Sequence, residues 1–231
     1  MAELIVALDV SSIAEVEQTV DRLGDSVTFY KIGLELFSAE GPEVIRAVKR
    51  RGKKVFLDLK LHDIPRTVER AVKSGAALGV DLMTIHASGG RNMIRAAKDA
   101  ALSCGALAPK ILAVTVLTSL DQPDLDDLGV GRGMRAQVEA LGLLACVNGA
   151  DGIVCSPQEA TAMRAALGPD ALLVTPGVRP AGAAIGDQKR VATPGQAVRD
   201  GATHLVVGRP ILEADDPCAA ARMIAAEMAD A

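Results

Sequence analysis

The sequence predicts a single-domain (β/α)8 barrel, and three observations carry that prediction. Apolar, β-branched runs recur along the 231 residues at a spacing of roughly 25, each followed by a helix-type pattern. The runs are near-continuous rather than alternating, as strands covered on both faces are. No G-x-G-x-x-G follows the first run, which ends Ala7-Leu8-Asp9-Val10, and this weighs against an open doubly wound sheet.

Taken in order, the strands are expected at Leu4–Asp9, Val27–Gly33, Lys54–Leu59, Leu82–His86, Ile111–Leu117, Gly152–Ser156, Ala171–Pro176 and His204–Gly208. Helices are expected between and after them at Ile13–Leu23, Pro42–Arg51, Pro65–Leu78, Arg91–Ser103, Arg135–Asn148, Gln158–Leu167, Pro194–Asp200 and Pro217–Met228. Several open with Pro in the first turn, where its missing N–H costs nothing. No linker rich in Pro, Gly or Ser divides the chain, so residues 1–231 read as one domain. Two connections are too long and polar to be plain links: Thr118–Arg132 and Arg179–Val191. Long βα loops sit over the active site of a barrel, and the second, with Gly182 and Gly186, reads as a lid.

Composition narrows the function classes. With 49% hydrophobic and 23% charged residues, 22 Gly and 11 Pro, the chain is neither disordered nor a coiled coil. A net charge of −4 argues against a nucleic-acid or anionic-membrane partner, and three Phe, one Tyr and no Trp leave little for a base-stacking platform. Cys104, Cys146, Cys155 and Cys218 lie far apart without a C-x-x-C pair, so neither a metal motif nor a disulfide framework is suggested. The N-terminal MAELIVALDV has no basic region before its apolar stretch, and no apolar run reaches the ~18 residues of a membrane span. A cytoplasmic protein with reduced thiols is expected.

The reacting groups of a barrel stand at the C-terminal ends of its strands. Read in order, those ends carry Asp9, Lys31, Asp58 with Lys60 and Asp63, His86, Thr118 with Ser119, Ser156, Arg179, and Gly208 with Arg209. Ionisable groups there are costly to desolvate unless they meet each other or a ligand. Period-two alternation puts Asp58 and Lys60 on one face of the third strand, pointing into the mouth, with Asp63 in the turn before the next helix. A lysine between carboxylates is held as the ammonium and can deliver a proton to a carbanion formed beside it. The alternative is a structural ion-pair cluster with Asp63 as a helix cap. Gly208-Arg209 directly after the eighth strand is the usual phosphate position of such barrels, with Arg179 and Gln188 as further candidates. Alternatively, Arg209 merely covers the barrel end. His86 reads as a pocket-wall residue, His62 as a packing residue pointing away, and His204, at the barrel bottom, as structural. Three dispersed histidines, with lysines among the carboxylates, make a poor metal cage.

The segment Asp58-Leu59-Lys60-Leu61-His62-Asp63-Ile64-Pro65 resembles the D-x-K-x-x-D segment of the orotidine 5′-phosphate decarboxylases, in its DLKLHDIP form. The likeness continues through Ala7-Leu8-Asp9, Tyr30-Lys31-Ile32-Gly33, Thr84-Ile85-His86-Ala87, Thr115-Val116-Leu117-Thr118-Ser119, Pro176-Gly177-Val178-Arg179-Pro180, Gly186-Asp187-Gln188 and Val207-Gly208-Arg209-Pro210. It covers every expected strand but the sixth. The resemblance implies decarboxylation of orotidine 5′-monophosphate to uridine 5′-monophosphate, the last step of de novo pyrimidine synthesis, without cofactor or metal. It implies that Lys60 protonates C6, that Asp58 lies by the substrate carboxylate, and that Lys31 and Asp63 complete an alternating Lys-Asp-Lys-Asp array. Asp9 and Lys31 would hold the ribose hydroxyls, Thr118 and Ser119 the base, and Arg209, the Gly208 amide and Gln188 the 5′-phosphate, with Arg179 nearby. The active unit would be a homodimer in which Asp63 and Thr67 reach the neighbouring site. Two alternative functions fit the same barrel: a Mg-dependent phosphosugar decarboxylase or aldolase, and a non-catalytic nucleotide-binding barrel.

Overall fold

Eight parallel strands close into a barrel in strict sequence order, the first pairing with the second and the eighth. The structure is a computed structural model that describes residues 2–180 and 192–231. The strands are β1 (Glu3–Ala7), β2 (Phe29–Gly33), β3 (Lys54–Leu61), β4 (Leu82–His86), β5 (Lys110–Val114), β6 (Gly152–Val154), β7 (Leu172–Thr175) and β8 (His204–Val207). The helices between and after them are α1 (Ile13–Leu23), α2 (Leu34–Glu40), α3 (Glu43–Lys49), α4 (Pro65–Ala77), α5 (Gly90–Ser103), α6 (Gln122–Asp127), α7 (Met134–Val147), α8 (Pro157–Leu167), α9 (Pro194–Arg199), α10 (Arg209–Leu212) and α11 (Pro217–Ala229).

Two apolar layers hold this together. Alternate residues of the strands, among them Ile5, Phe29, Phe56, Leu82, Leu112, Val174 and Val206, fill the barrel interior. The other set packs outward against helix stripes such as Val16, Val20 and Leu23 of α1 and Val68 and Val72 of α4. Full burial of each such side chain stabilises the fold by about 1.5–3 kcal/mol. Local signals set the helix starts. Ser12 Oγ accepts the Glu15 N–H at 3.3 Å before α1, and an Asp216 carboxylate oxygen accepts the Ala219 N–H at 2.9 Å before α11. Gly24 (φ 50°) ends α1 in a conformation that a β-carbon disfavours.

The strand order and barrel closure match the sequence expectation, with three local differences. The apolar run Ile111–Leu117 predicts strand throughout, but pairing stops at Val114, and Val116 and Leu117 leave the sheet to line the mouth. The short helices α2, α6 and α10 have no counterpart in the sequence expectation, because four to seven residues carry too little periodicity to register. Within β3 the register against β4 shifts between Leu57 and Leu61, where regular alternation had been expected.

Candidate active site

The period-two pleat turns the upper end of the barrel interior from apolar to charged. Phe29 is followed on the same face by Lys31, Phe56 by Asp58 and Leu82 by Thr84, so polar groups stand one layer above the apolar fill. Lys31 and Asp58, with Lys60 and Thr118, line a cavity of about 160 Å³ that has Phe56, Val114, Val154 and Val206 as its apolar part. A second cavity, of about 200 Å³, shares Lys31, Pro176 and Val206 with the first and adds Asp9, Gly177, Arg179, Gly208 and Arg209. The mouth therefore divides into a half-apolar pocket beside the Asp58–Lys60 pair and a polar one with two guanidiniums. A flat heterocycle with an anionic tail fits that division.

Asp58 is nearly buried and is held from both sides. Lys60 Nζ donates to its Oδ2 at 2.8 Å, and Thr84 Oγ1 donates to its Oδ1 at 2.9 Å. A buried carboxylate needs such partners to offset its lost hydration. Asp58 and Lys60 do share the mouth, but not through a regular pleat. Lys60 has φ 52°, a left-handed conformation rare for a residue with a β-carbon, at the register shift of β3. Lys31 sits at the junction of the two cavities, 3.6 Å from Asp9 Oδ1.

The four-membered Lys31–Asp58–Lys60–Asp63 array is not joined up within one chain. Among the described residues, the ion pairs at the mouth are Asp58–Lys60 and Lys31–Asp9, and Asp63 enters neither. Nor is Asp63 the cap of α4. The cap position is Ile64, and the Asp63 carboxylate accepts the Ile64 N–H at 2.6 Å. Asp63, Ile64 and Thr67 are all exposed on the outer rim, Ile64 at 67% of its surface.

Thr118 lines the pocket, whereas Ser119 is exposed and is not one of the lining residues. Arg209 is exposed at the start of α10, and Arg179 is buried with its Nη1 donating to the Val178 carbonyl at 3.0 Å. Gly208 is needed where it stands: a β-carbon there would lie 3.0 Å from Asp9 Oδ2 and 3.4 Å from Ala7 Cβ. Gln188, Gly182 and Gly186 lie outside the described residues. The ends of their loop are joined, since Val178 bridges Ala192 and the Arg179 N–H donates to the Ala192 carbonyl at 3.0 Å. Ser156 is drawn into the start of α8, its N–H donating to Glu159 Oε2 at 2.8 Å.

His86 is half-buried at the end of β4, its ring 5.3 Å from that of the exposed His62. Burial, then the nearby His62 and Lys60, lower its pKa from the ordinary 6.5, which keeps it neutral at pH 7. This suits a wall residue. His204 is buried at the barrel bottom, edge-on to Phe29, as a structural residue should be.

Thr84 is a site residue absent from the sequence expectation, although the sequence carries a signal for it. It is the first polar residue on the inward face of β4, after Leu82 and before His86, level with Asp58. Two larger hollows do not compete with the mouth. The groove between α7 and α8 lies outside the barrel, and the basin at the bottom has its lysines already paired, Lys49 with Asp81, Lys54 with Glu3 and Lys110 with Asp151.

Comparison with known proteins follows the same lines. The model of the orotidine 5′-phosphate decarboxylase / HUMPS family matches residues 2–224. A protein of Moorella thermoacetica named orotidine 5′-phosphate decarboxylase is 51% identical, over 98% of this chain and 92% of its own. One of the same name from Anaeromyxobacter dehalogenans is 55% identical over 96% of each. The crystal structure of orotidine 5′-phosphate decarboxylase from Lactobacillus acidophilus superposes with a TM-score of 0.89 at 41% identity, covering 99% of both chains.

Proposed function

Because the chain belongs to the orotidine 5′-phosphate decarboxylase / HUMPS family, and its activity is the decarboxylation of orotidine 5′-monophosphate to uridine 5′-monophosphate in pyrimidine biosynthesis, we propose that the Asp58–Lys60 pair is its reacting centre. The observation that carries this is the 2.8 Å contact between Lys60 Nζ and Asp58 Oδ2 in a pocket with apolar walls.

In this reading the C6–carboxylate bond breaks, carbon dioxide leaves, and the electron pair stays on C6. No imine or ylid delocalises that pair, so the barrier must be lowered by fixed charge. The Lys60 ammonium is a cation already oriented where the anion develops, and it gives C6 the proton that completes uridine 5′-monophosphate. Asp58, fixed by two donors, faces the substrate carboxylate and disfavours it more than the transition state from which carbon dioxide is departing. Every ~1.4 kcal/mol of such difference is tenfold in rate.

The second cavity takes the 5′-phosphate. Arg209 supplies a charge-assisted contact, Gly208 lets the backbone N–H approach, and Arg179, after the adjoining β7, adds positive charge. Asp9 and Lys31, at the junction of the cavities, take the ribose hydroxyls between phosphate and base, while Thr118 and, from its edge, Ser119 bind the base. Gln188 joins the phosphate set in this assignment, and residues 1–231 act as one unit.

We assign the active unit as a homodimer. Asp63 is exposed without an ion pair in its own chain among the described residues, beside exposed Ile64 and Thr67. A carboxylate that completes a neighbour's site would be left so in one chain, with apolar surface around it for the partner to cover. Among the described residues no helix is long and apolar enough to cross a membrane, and we place the enzyme in the cytoplasm. Turnover by the native protein set against Lys60→Ala tests the assignment.

A further inference from the structure

The Thr84 hydroxyl makes two contacts with opposite halves of the reacting pair. It accepts the backbone N–H of Lys60 at 2.8 Å and donates to Asp58 Oδ1 at 2.9 Å. We propose that Thr84 is a positioning residue for decarboxylation, holding Lys60 in its left-handed conformation and Asp58 in one orientation; the proposal rests on the Asp58–Lys60 pair being the reacting centre.

The direction of each bond is forced. A backbone N–H can only donate and an ionised carboxylate can only accept, so the hydroxyl proton must point at Asp58 and an oxygen lone pair at Lys60. Thr84 itself is 1% exposed, which leaves water no route to substitute for either contact. Its inward direction follows from β4, where Leu82 one pleat below belongs to the barrel interior.

The Lys60 contact falls at the register shift between Leu57 and Leu61, where the β3–β4 ladder is interrupted. There the N–H of Lys60 finds a side-chain acceptor, and a φ of 52° survives because the surroundings over-determine it. That twist turns the Lys60 side chain back so that Nζ meets Asp58 Oδ2 from two residues away. Thr84 thus ties the backbone of the proton donor to the carboxylate that its ammonium faces. One hydroxyl fixes both ends of the pair before substrate arrives, which is how a preorganised site avoids reorganisation during the reaction.

The test compares full-length Thr84→Val, Thr84→Ser and Lys60→Ala with the native protein, measuring kcat and KM for orotidine 5′-monophosphate, affinity for uridine 5′-monophosphate, and Tm. Misplacing a reacting group by about 1 Å can cost about a hundredfold, so Thr84→Val should lower kcat roughly 10- to 100-fold, with KM and product affinity within about threefold of native. Thr84→Ser, which keeps the hydroxyl, should return kcat to within about threefold. If Thr84→Val is insoluble, Thr84→Ala deletes the hydroxyl with less crowding and should show the same split. Native kcat in Thr84→Val or Thr84→Ala beside an inactive Lys60→Ala would overturn the proposal. So would a loss confined to KM, or a Ser variant no better than Val. Full turnover in Lys60→Ala is a separate result, which removes the reacting centre itself.

Discussion

Lys60 Nζ lies 2.8 Å from Asp58 Oδ2, and the second oxygen of that carboxylate is held by Thr84, so the only ammonium in contact with Asp58 among the described residues is the one assigned to protonate C6. Replacing Lys60 by Ala removes both the proton donor and the fixed positive charge. Turnover should fall on the order of 10³-fold or more while the protein still binds uridine 5′-monophosphate. Residual turnover near native would assign protonation to another group.

Arg209→Ala should act on binding rather than on the bond-breaking step. A hydrogen bond to a charged group is worth about 1.5–3 kcal/mol, so kcat/KM should drop roughly 10- to 100-fold, mostly through KM. Steady-state kinetics with an unchanged KM would move the phosphate site away from the α10 start.

Sharing of sites predicts complementation. Lys60→Ala and Asp63→Ala, each nearly inactive alone, form one intact site in a mixed dimer. After subunit exchange an equal mixture should regain about a quarter of native activity, since half the dimers are mixed and each carries one good site. With exchange demonstrated by mass spectrometry, an inactive mixture would count against Asp63 crossing the interface.

The bottom of the barrel controls acid stability. Burial pulls the His204 pKa below its ordinary 6.5, so the unfolded chain takes up this proton first as pH falls. The stability that goes with the neutral ring is complete above pH 6.5 and is lost as pH drops below 6.5 towards the folded value. His204→Gln should therefore flatten the Tm–pH curve between about pH 7 and pH 5, with the slope from His86 remaining. A variant curve parallel to the native one contradicts this.

Gly152→Ala should destabilise the barrel without touching the mouth. A β-carbon at Gly152 in β6 would stand 2.0 Å from the Leu172 carbonyl oxygen, a backbone atom that cannot swing aside. Overpacking of this kind costs about 1–3 kcal/mol, and a backbone obstacle puts it at the upper end. Tm should fall by several degrees with kcat unchanged; an unaltered Tm would show that β6 and β7 separate freely.

Much of this was legible in the sequence because the barrel repeats one simple rule. An apolar run buried on both faces, with a charged or glycine position at or near its C-terminal end, marks a strand and the barrel mouth, and Asp9, Lys31, Asp58 and Gly208 all follow it. The rule fails where apolar residues serve a cavity rather than a ladder. Val116 and Leu117 look like strand in the sequence, yet they line the mouth. It also assumes a regular pleat, and so misses the left-handed Lys60; Thr84 is legible as an inward polar residue, but its bond to the Lys60 N–H depends on that irregularity. Asp63 illustrates a different limit. Its position before Pro65 reads equally as a cap or as a site residue, and only the folded structure shows that Ile64 occupies the cap position.

The most direct measurement follows the absorbance of orotidine 5′-monophosphate with purified protein in excess EDTA. Rapid, stoichiometric conversion to uridine 5′-monophosphate is the predicted result, and it would also set aside a Mg-dependent phosphosugar reaction. A folded protein that binds uridine 5′-monophosphate tightly and leaves the substrate unchanged would contradict the account.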